Sequence, residues 1–230
     1  MRRNLLVFIS LIILLPVTGF SQTSGVITKV KGLVFVMKAG SFRKVSVSVN
    51  QNIIQGDLVI TGFDSTAVIK LDEGSSIVMK SNSRFKIDDK STLNQKSGMI
   101  YYNIKKKKHR GIKVKTNFAV IGVKGTEFIV NASDKDKKVA LKRGLIGIES
   151  LKKQFELHRK KEMSAFEKFM NKTKSAFKKY KEQNRTEFVQ YVKSFDLKPD
   201  KVVSFSGNIA DEKDISRDLD KEFLKFREMI

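Results

Sequence analysis

Residues 117–130 read NFAVIGVKGTEFIV, and this stretch decides how the whole chain is interpreted. Its two glycines, Gly122 and Gly125, lie three residues apart beside Lys124 and Thr126. A phosphate-binding loop needs its lysine after the second glycine and a helix after the lysine. Here Lys124 precedes Gly125, and TEFIV continues with the residue types of a strand. The stretch therefore predicts a glycine-punctuated β-structure and not a nucleotide site.

The whole region 25–150 has the same character. Strand-like segments begin at Gly56, Gly74, Gly98, Gly111, Gly125 and Gly144. Apolar residues alternate within them, for example at Ala67, Ile69 and Leu71, which is typical of strands with one buried face. We therefore expect a mainly β domain over residues 25–150. Short, regularly spaced strands fit both a short β-solenoid and a β-sandwich-like fold.

Three stretches of this region carry a family resemblance: VKGLV (30–34), GDLVITGFDSTAVIKLDEGSSIVM (56–79) and IKVKTNFAVIGVKGTEFIV (112–130). In this order they resemble the FecR domain family. Asn117 stands where the family often has a proline. The resemblance implies a β-rich, solenoid-like domain outside the cytoplasm. It marks these residues as structural signature positions: Gly56, Asp57, Gly62, Ser65, Ala67, Gly74, Ser75, Thr116, Ala119, Gly122, Val123, Gly125, Thr126 and Phe128.

The best-known members of this family sense an outer-membrane iron transporter and relay its occupancy to a sigma factor. They carry a cytoplasmic anti-sigma segment and a membrane span ahead of the periplasmic domain. Here the sequence ahead of the β region reads as a signal peptide. We therefore expect an exported FecR-domain protein without the anti-sigma segment, so that role is not carried over.

The N-terminal stretch has the three regions of a secretory signal peptide. Arg2 and Arg3 precede an apolar run that ends before Pro16, and small residues at Gly19 and Ser21 predict cleavage before Gln22. The expected location is periplasmic or secreted, with an uncleaved inner-membrane anchor as the alternative.

The net positive charge of the chain limits the classes of partner that we expect it to bind. Among 230 residues, 46 Lys and Arg outnumber 24 Asp and Glu, and removal of residues 1–21 leaves (46 − 2) − 24 = +20. This excess attracts polyanions; for an exported protein it favours an envelope protein or an anionic envelope surface over nucleic acid. The absence of cysteine excludes thiol nucleophiles and disulfides. We expect no cofactor and no metal.

A basic run, KKKKHR, occupies residues 105–110. It is either a solvated loop whose like charges block edge-to-edge pairing of sheets, or a docking patch for an anionic partner. The candidate partner contacts in it are Lys105, Lys106, Lys107, Lys108 and Arg110.

After Ser150 the pattern changes from period two to steps of three and four. Residues 151–196 contain apolar side chains such as Phe166, Met170 and Phe177, and residues 151–195 carry 13 Lys and Arg against 5 Asp and Glu. This pattern predicts a long basic amphipathic helix, with Lys178 and Lys179 as further candidate contacts. Its apolar stripe would pack on the β domain, on the last helix or on a second copy. Residues 197–230 are expected to form a linker or strand and then a terminal helix.

The sequence contains no specific pattern of catalytic residues. Asp57, Asp64, Asp72, Glu73 and Glu127 are ordinary turn or strand carboxylates. The two histidines of the chain lack the spacing of metal ligands, and GFDSTA is not a nucleophile elbow. The sequence favours a non-enzymatic binding or scaffolding module at the bacterial cell envelope, whose basic helical tail contacts an anionic surface or a partner. The alternatives are a component of a FecR-type signalling pathway and an envelope hydrolase that uses the turn carboxylates.

Overall fold

The computed structural model describes residues 23–106, 111–160 and 187–230. These residues form twenty strands and one helix. The first ten strands are β1 (Thr23–Lys31), β2 (Val34–Met37), β3 (Lys44–Ser46), β4 (Gln51–Ile54), β5 (Leu58–Thr61), β6 (Thr66–Leu71), β7 (Ser76–Met79), β8 (Arg84–Asp89), β9 (Thr92–Ser97) and β10 (Met99–Asn103). The others are β11 (Ile112–Lys115), β12 (Ala119–Val123), β13 (Glu127–Ser133), β14 (Asp136–Arg143), β15 (Ile146–Ser150), β16 (Phe155–Lys160), β17 (Glu187–Val192), β18 (Ser194–Leu197), β19 (Lys201–Ser206) and β20 (Ile209–Asp214), followed by helix α1 (Arg217–Met229).

The strands form two sheets. The eleven-stranded sheet has the order β17-β16-β20-β19-β14-β13-β10-β7-β6-β1-β4, and the nine-stranded sheet has the order β18-β15-β12-β11-β9-β8-β5-β2-β3. The chain passes back and forth between them, and neighbours are antiparallel except for the β9–β11 and β16–β20 pairs. Neither sheet closes into a barrel within the described ranges. The prediction of a mainly β fold over residues 25–150 is confirmed.

One hydrophobic core lies between the sheets. Alternate residues of a strand point to opposite faces, so Ile112 and Val114 of β11 are buried while the lysines between and after them are exposed. The inward residues of both sheets, such as Ile69, Phe85 and Phe128, belong to the same cluster. Burial of each such side chain contributes about 1.5–3 kcal/mol, which makes this core the main stabilising element.

The glycines that the sequence singled out form turns between strands. Gly98 has a φ of +82°, and a Cβ placed there would lie 2.5 Å from the Cα of Ser83. Gly125 has a φ of +70°, and a Cβ there would lie 2.7 Å from the Cβ of Lys106. Only glycine meets both the left-handed conformation and the close approach at these positions.

The predicted helix over 151–196 is wrong wherever the structure describes that segment. Residues 155–160, 187–192 and 194–197 are the strands β16, β17 and β18. Phe195 and Leu197 alternate inward from β18, and its hydrogen-bonding partner is β15. Pairing with strands of the two sheets therefore outweighs the local helical spacing. Residues 161–186, with Lys178 and Lys179, lie outside the described residues.

The rest of the C-terminal region continues the same body. Residues 201–206 form the strand β19, between β14 and β20, and Val203, Phe205 and Ala210 join the central core. The predicted terminal helix is confirmed as α1, whose first turn is capped by the side chain of Ser216. Acidic residues in its first turn and Arg227 in its last complement the helix dipole.

Helix α1 covers the outer face of the eleven-stranded sheet, the face that points away from the central core. Phe223 and Phe226 are fully buried there against Val68, Tyr101 and Ile129. The outer face of the nine-stranded sheet has no such helical cover from the described residues. Within those residues, no helix combines the length and the hydropathy that a membrane crossing requires.

Candidate functional site

The signature aspartate is a structural cap. Asp57 is buried, and its carboxylate accepts hydrogen bonds from the backbone N–H groups of Ala39 (3.1 Å) and Ile54 (3.2 Å). The Nζ of Lys38 lies 2.8 Å from its Oδ2. These bonds tie the loop before β5 to the end of β2, which accounts for the residue without any catalytic role.

The two signature serines also fix loops. The Oγ of Ser65 accepts a hydrogen bond from the Leu33 N–H (2.9 Å) and donates one to the Phe63 carbonyl (2.8 Å). The Oγ of Ser75 accepts from the Lys105 N–H at 3.1 Å. Both serines are buried, so their hydroxyls satisfy backbone groups that water does not reach.

Thr116 closes the turn between β11 and β12. Its Oγ1 accepts hydrogen bonds from the N–H groups of Phe118 (3.2 Å) and Ala119 (2.9 Å). This turn forms with Asn117 in the place where the family often has a proline. Thr126 is buried as well, and its Oγ1 has no hydrogen-bond partner among the described residues.

The other signature residues divide into core and surface. Ala67, Ala119, Val123 and Phe128 are buried in the core. Gly56, Gly74 and Gly125 have positive φ angles in turns, and the Gly62 N–H donates to the Leu33 carbonyl. Gly122 alone lies in the middle of a strand with an exposed backbone. The signature is thus mostly scaffold, and Gly122 is the member that requires another explanation.

Gly122 lies in a row of four residues across the nine-stranded sheet. It is paired with Lys113 of β11 on one side and with Gly147 of β15 on the other, and Gly147 is paired with Asp196 of β18. The two glycines form the floor of a depression of about 420 Å³, which also involves Lys113, Lys124 and Leu145. We call this depression the glycine groove.

A second depression of about 360 Å³ continues the glycine groove toward the sheet edge. It shares Lys113, Gly122 and Gly147 with the first and adds Glu149 and Asp196. The groove is therefore bounded by two lysines at one end and by two carboxylates at the other. All four charged side chains are exposed, and none makes a hydrogen bond or ion pair with another described residue.

The described part of the basic run lies next to this groove. Lys105 and Lys106 are exposed, and Lys106 contacts the turn at Gly125. Lys105 and Lys124 also line a narrow crevice with Glu73, whose Oε1 is buried without a hydrogen-bond partner among the described residues. Lys107, Lys108 and Arg110 lie outside the described residues, as does His109.

On the opposite face, an ion pair between half-exposed Arg227 and buried Glu127 holds α1 on the eleven-stranded sheet. Arg227 donates to both carboxylate oxygens of Glu127, from Nε at 2.6 Å and from Nη2 at 2.9 Å. The Tyr101 hydroxyl donates to the same carboxylate at 3.0 Å. Burial, together with the Glu127 charge, raises the pKa of Tyr101 above its ordinary value. Hydrogen bonding to Glu127 likewise raises the pKa of Arg227.

The sequence pattern marked Glu127 only as an ordinary turn or strand carboxylate, and it did not single out Arg227. One signal was present, since a glutamate at the start of the apolar run EFIV needs a cationic partner if that run is buried. The partner is 100 residues away along the chain, and no local pattern points to it.

The remaining candidates for catalysis are dispersed. Asp64 and Asp72 are exposed turn residues. His158 lies in β16 and not on a helix, with its Nε2 3.0 Å from the Glu156 Oε1. Over residues 23–106, 111–160 and 187–230, no group of three or more His, Asp or Glu side chains is arranged to hold a metal ion.

Comparison with known proteins agrees with this scaffold. The model of the family described as "FecR protein" matches residues 57–147. A crystal structure from Parabacteroides distasonis, named as a "putative anti-sigma factor", is 11% identical with a TM-score of 0.50 and covers 73% of this chain. A second crystal structure of the same name from that organism has the same identity and coverage of this chain and a TM-score of 0.49.

The chain spans 64% of the length of the first of these structures and 63% of the second, and the likeness concerns the fold. No curated protein matches the sequence. The family match covers the Asp57 cap, both serine anchors, the Thr116 turn and the floor of the glycine groove. Residues 57–147 of the chain are therefore a FecR domain.

Proposed function

We propose that the chain is an exported, non-enzymatic binding module of the bacterial cell envelope, and that its partner docks on the outer face of the nine-stranded sheet. One observation carries the proposal: the two outer faces differ. Helix α1 and the Glu127–Arg227 pair occupy the outer face of the eleven-stranded sheet. The outer face of the other sheet carries a groove with charged side chains at both ends that have no partner in the part of the chain that the structure describes.

The roles of the carboxylates favour binding over catalysis. Asp57 is bonded to Lys38 and two backbone N–H groups, and Glu127 is bonded to Arg227 and Tyr101. These hydrogen bonds and ion pairs are structural contacts, and neither carboxylate lines the glycine groove. Asp57 and Glu127, the two buried carboxylates among the hydrolase candidates, therefore have structural roles that do not support the alternative of an envelope hydrolase.

Export and the choice of partner rest on the sequence. The signal-peptide pattern of residues 1–21 supports a periplasmic or secreted location, and the uncleaved anchor is the alternative. A net charge of +22 for the full sequence promotes association with anionic partners. An envelope protein and an anionic envelope surface are both consistent with this charge.

The test is retention of the full-length protein on washed envelope fractions. The variant Lys113→Gln/Lys124→Gln neutralises the basic end of the glycine groove. The matched control Lys31→Gln/Lys70→Gln removes the same charge from exposed lysines of the eleven-stranded sheet. We expect saturable retention of the wild type, at least fivefold weaker retention of the groove variant and an unchanged control. Equal loss in both variants, or no saturable retention, would contradict the proposal.

A second candidate function is a regulatory role in the periplasm. The FecR domain, and the fold likeness to a structure named as a "putative anti-sigma factor", favour it. In that case the groove would bind a component of a transmembrane signalling pathway. Deletion of the gene should change transcription of a defined set of genes, and the Lys113→Gln/Lys124→Gln variant should reproduce the change. An unchanged transcript profile under iron limitation and envelope stress would remove this candidate.

A further inference from the structure

We propose that the glycine groove binds an extended segment of a partner protein, which lies across β11, β12, β15 and β18 with an acidic side chain at Lys113 and a basic side chain at Asp196. The inference rests on the proposed function and names the class of partner: a polypeptide, and not a lipid surface or a glycan.

The charges at the two ends of the groove carry the argument. Lys113 and Lys124 lie at one end, Glu149 and Asp196 lie at the other, and all four are exposed without partners among the described residues. An anionic membrane or a polyanion presents one sign of charge everywhere. It would be attracted by the lysines and repelled by the carboxylates at the other end of the groove. A peptide can present both signs in the required order.

The floor of the groove supports close approach by a backbone. Gly122 and Gly147 do not have positive φ angles. A Cβ on Gly122 would meet nothing nearer than 3.8 Å, and one on Gly147 nothing nearer than 3.5 Å. The fold therefore does not require glycine at either position, although glycine weakens a strand interior. Because these two glycines are paired on neighbouring strands and carry no side chains, the backbone of the sheet is accessible between the charged residues of the groove.

The register of the sheet sets the spacing of the partner's charges. Lys113, Gly122, Gly147 and Asp196 are consecutive across four strands, and neighbouring strands are about 4.8 Å apart. The two charged positions are thus about 14 Å apart at the backbone. An extended peptide advances about 3.3 Å per residue, so its acidic and basic residues should be about four positions apart.

The middle of the groove is apolar. Leu145 is 55% exposed on one side of the glycine floor, and Val120 lies on the other side. A small or flat apolar side chain between the two charged residues of the peptide would remove this surface from water. The predicted recognition element is an acidic residue, a short apolar centre and a basic residue.

The test selects peptides from a displayed random 12-residue library on the full-length protein. Binding of the selected peptides is then measured by titration to the wild type and to Gly122→Val/Gly147→Val, which fills the floor with β-forming side chains that the sheet can accommodate. The control Ser204→Val/Ser206→Val adds two valines to exposed positions of β19. Lys113→Glu tests the direction of the peptide, and vesicles containing phosphatidylglycerol test a lipid surface.

We expect the selected peptides to carry an acid and a base about four residues apart. They should bind Gly122→Val/Gly147→Val at least tenfold more weakly and the β19 control unchanged. Selection on Lys113→Glu should replace the acid by a base. Equal affinity for the filled groove would overturn the inference, and so would vesicle binding that the filling abolishes. If peptides bind as expected while the wild type is not retained on envelopes, the proposed function fails and the groove assignment stands.

Discussion

At the residue scale, the most informative position is Glu127, a charged residue in an otherwise apolar strand. Its side chain is 3% exposed and is hydrogen-bonded to Arg227, which lies in the last turn of α1. The sequence could predict the strand around it, since EFIV is followed by further apolar residues. It could not predict the pairing, because the interaction spans 100 residues and depends on the way α1 docks.

Arg227→Met should lower the free energy of unfolding by about 2 kcal/mol, because it leaves the Glu127 carboxylate buried with Tyr101 as its one side-chain donor among the described residues. Arg227 is 41% exposed, so water limits the loss below that of a fully buried pair. Denaturant unfolding measures this value. The control Arg217→Met changes an exposed arginine of the same helix and should cost less than about 0.5 kcal/mol. Equal losses would disprove a specific role for the pair.

The tyrosines of β10 predict an alkaline limit to stability. Burial raises the pKa of both Tyr101 and Tyr102 in the folded protein above the ordinary 10.0. Above pH 10 the unfolded chain therefore loses protons that the folded chain retains, so the free energy of unfolding should fall as pH rises. Below pH 10 these tyrosines contribute no pH dependence. Denaturant unfolding between pH 8 and 11 should show a smaller alkaline decline for Tyr101→Phe than for the wild type. An identical decline would contradict the assignment.

Glycines of the two kinds should respond oppositely to alanine. Gly98→Ala places a Cβ in the left-handed region and against the backbone of Ser83, so it should destabilise the protein by more than about 2 kcal/mol. Gly122→Ala should be neutral or stabilise by up to about 1 kcal/mol, because alanine fits there and strands disfavour glycine. Thermal unfolding of the two variants is the measurement. A large loss for Gly122→Ala would mean that the fold itself requires this glycine.

At the element scale, the strands of residues 25–150 were predictable and the segment after Ser150 was not. Alternation and glycine turns are local signals, and strands such as β11, β12 and β15 follow them. In residues 151–197 the aromatic spacing matched a helix, but Phe155 and Leu157 also alternate with polar residues. The segment forms strands because it pairs with strands that are distant in sequence. The sequence of residues 151–197 alone does not contain this information.

The pairing of β16 with β17 can be tested with cysteines, since the natural chain has none. Glu156 and Tyr191 are directly paired, so Glu156→Cys/Tyr191→Cys should form an intramolecular disulfide under mild oxidation. In one continuous helix the two positions would be about 50 Å apart. Glu156→Cys/Gln190→Cys is the control, because adjacent residues of a strand point to opposite faces. Mobility on non-reducing gels distinguishes the outcomes, and a disulfide in the control alone would indicate a different register.

At the scale of the whole molecule, two sheets share one core, and within residues 23–106, 111–160 and 187–230 a helix covers the outer face of the eleven-stranded sheet alone. The sequence indicated the family, the β class and the basic run beside the groove. It did not indicate the groove, because Gly147, Glu149 and Asp196 join Lys113 and Gly122 only through the register of four strands. Residues 151–230 cannot be removed without disrupting the fold, because β19 lies between β14 and β20 in the eleven-stranded sheet. Functional tests therefore require full-length variants.

The most direct measurement places a photo-crosslinking amino acid at single positions of the full-length protein in intact cells. Lys113 lies at the glycine groove, and Lys70 is an exposed lysine on the outer face of the eleven-stranded sheet. The account predicts a discrete protein adduct from position 113, none from position 70, and loss of the adduct when Gly122→Val/Gly147→Val is added. Equal crosslinking from both positions, or an adduct from position 113 that survives filling of the groove, would contradict it.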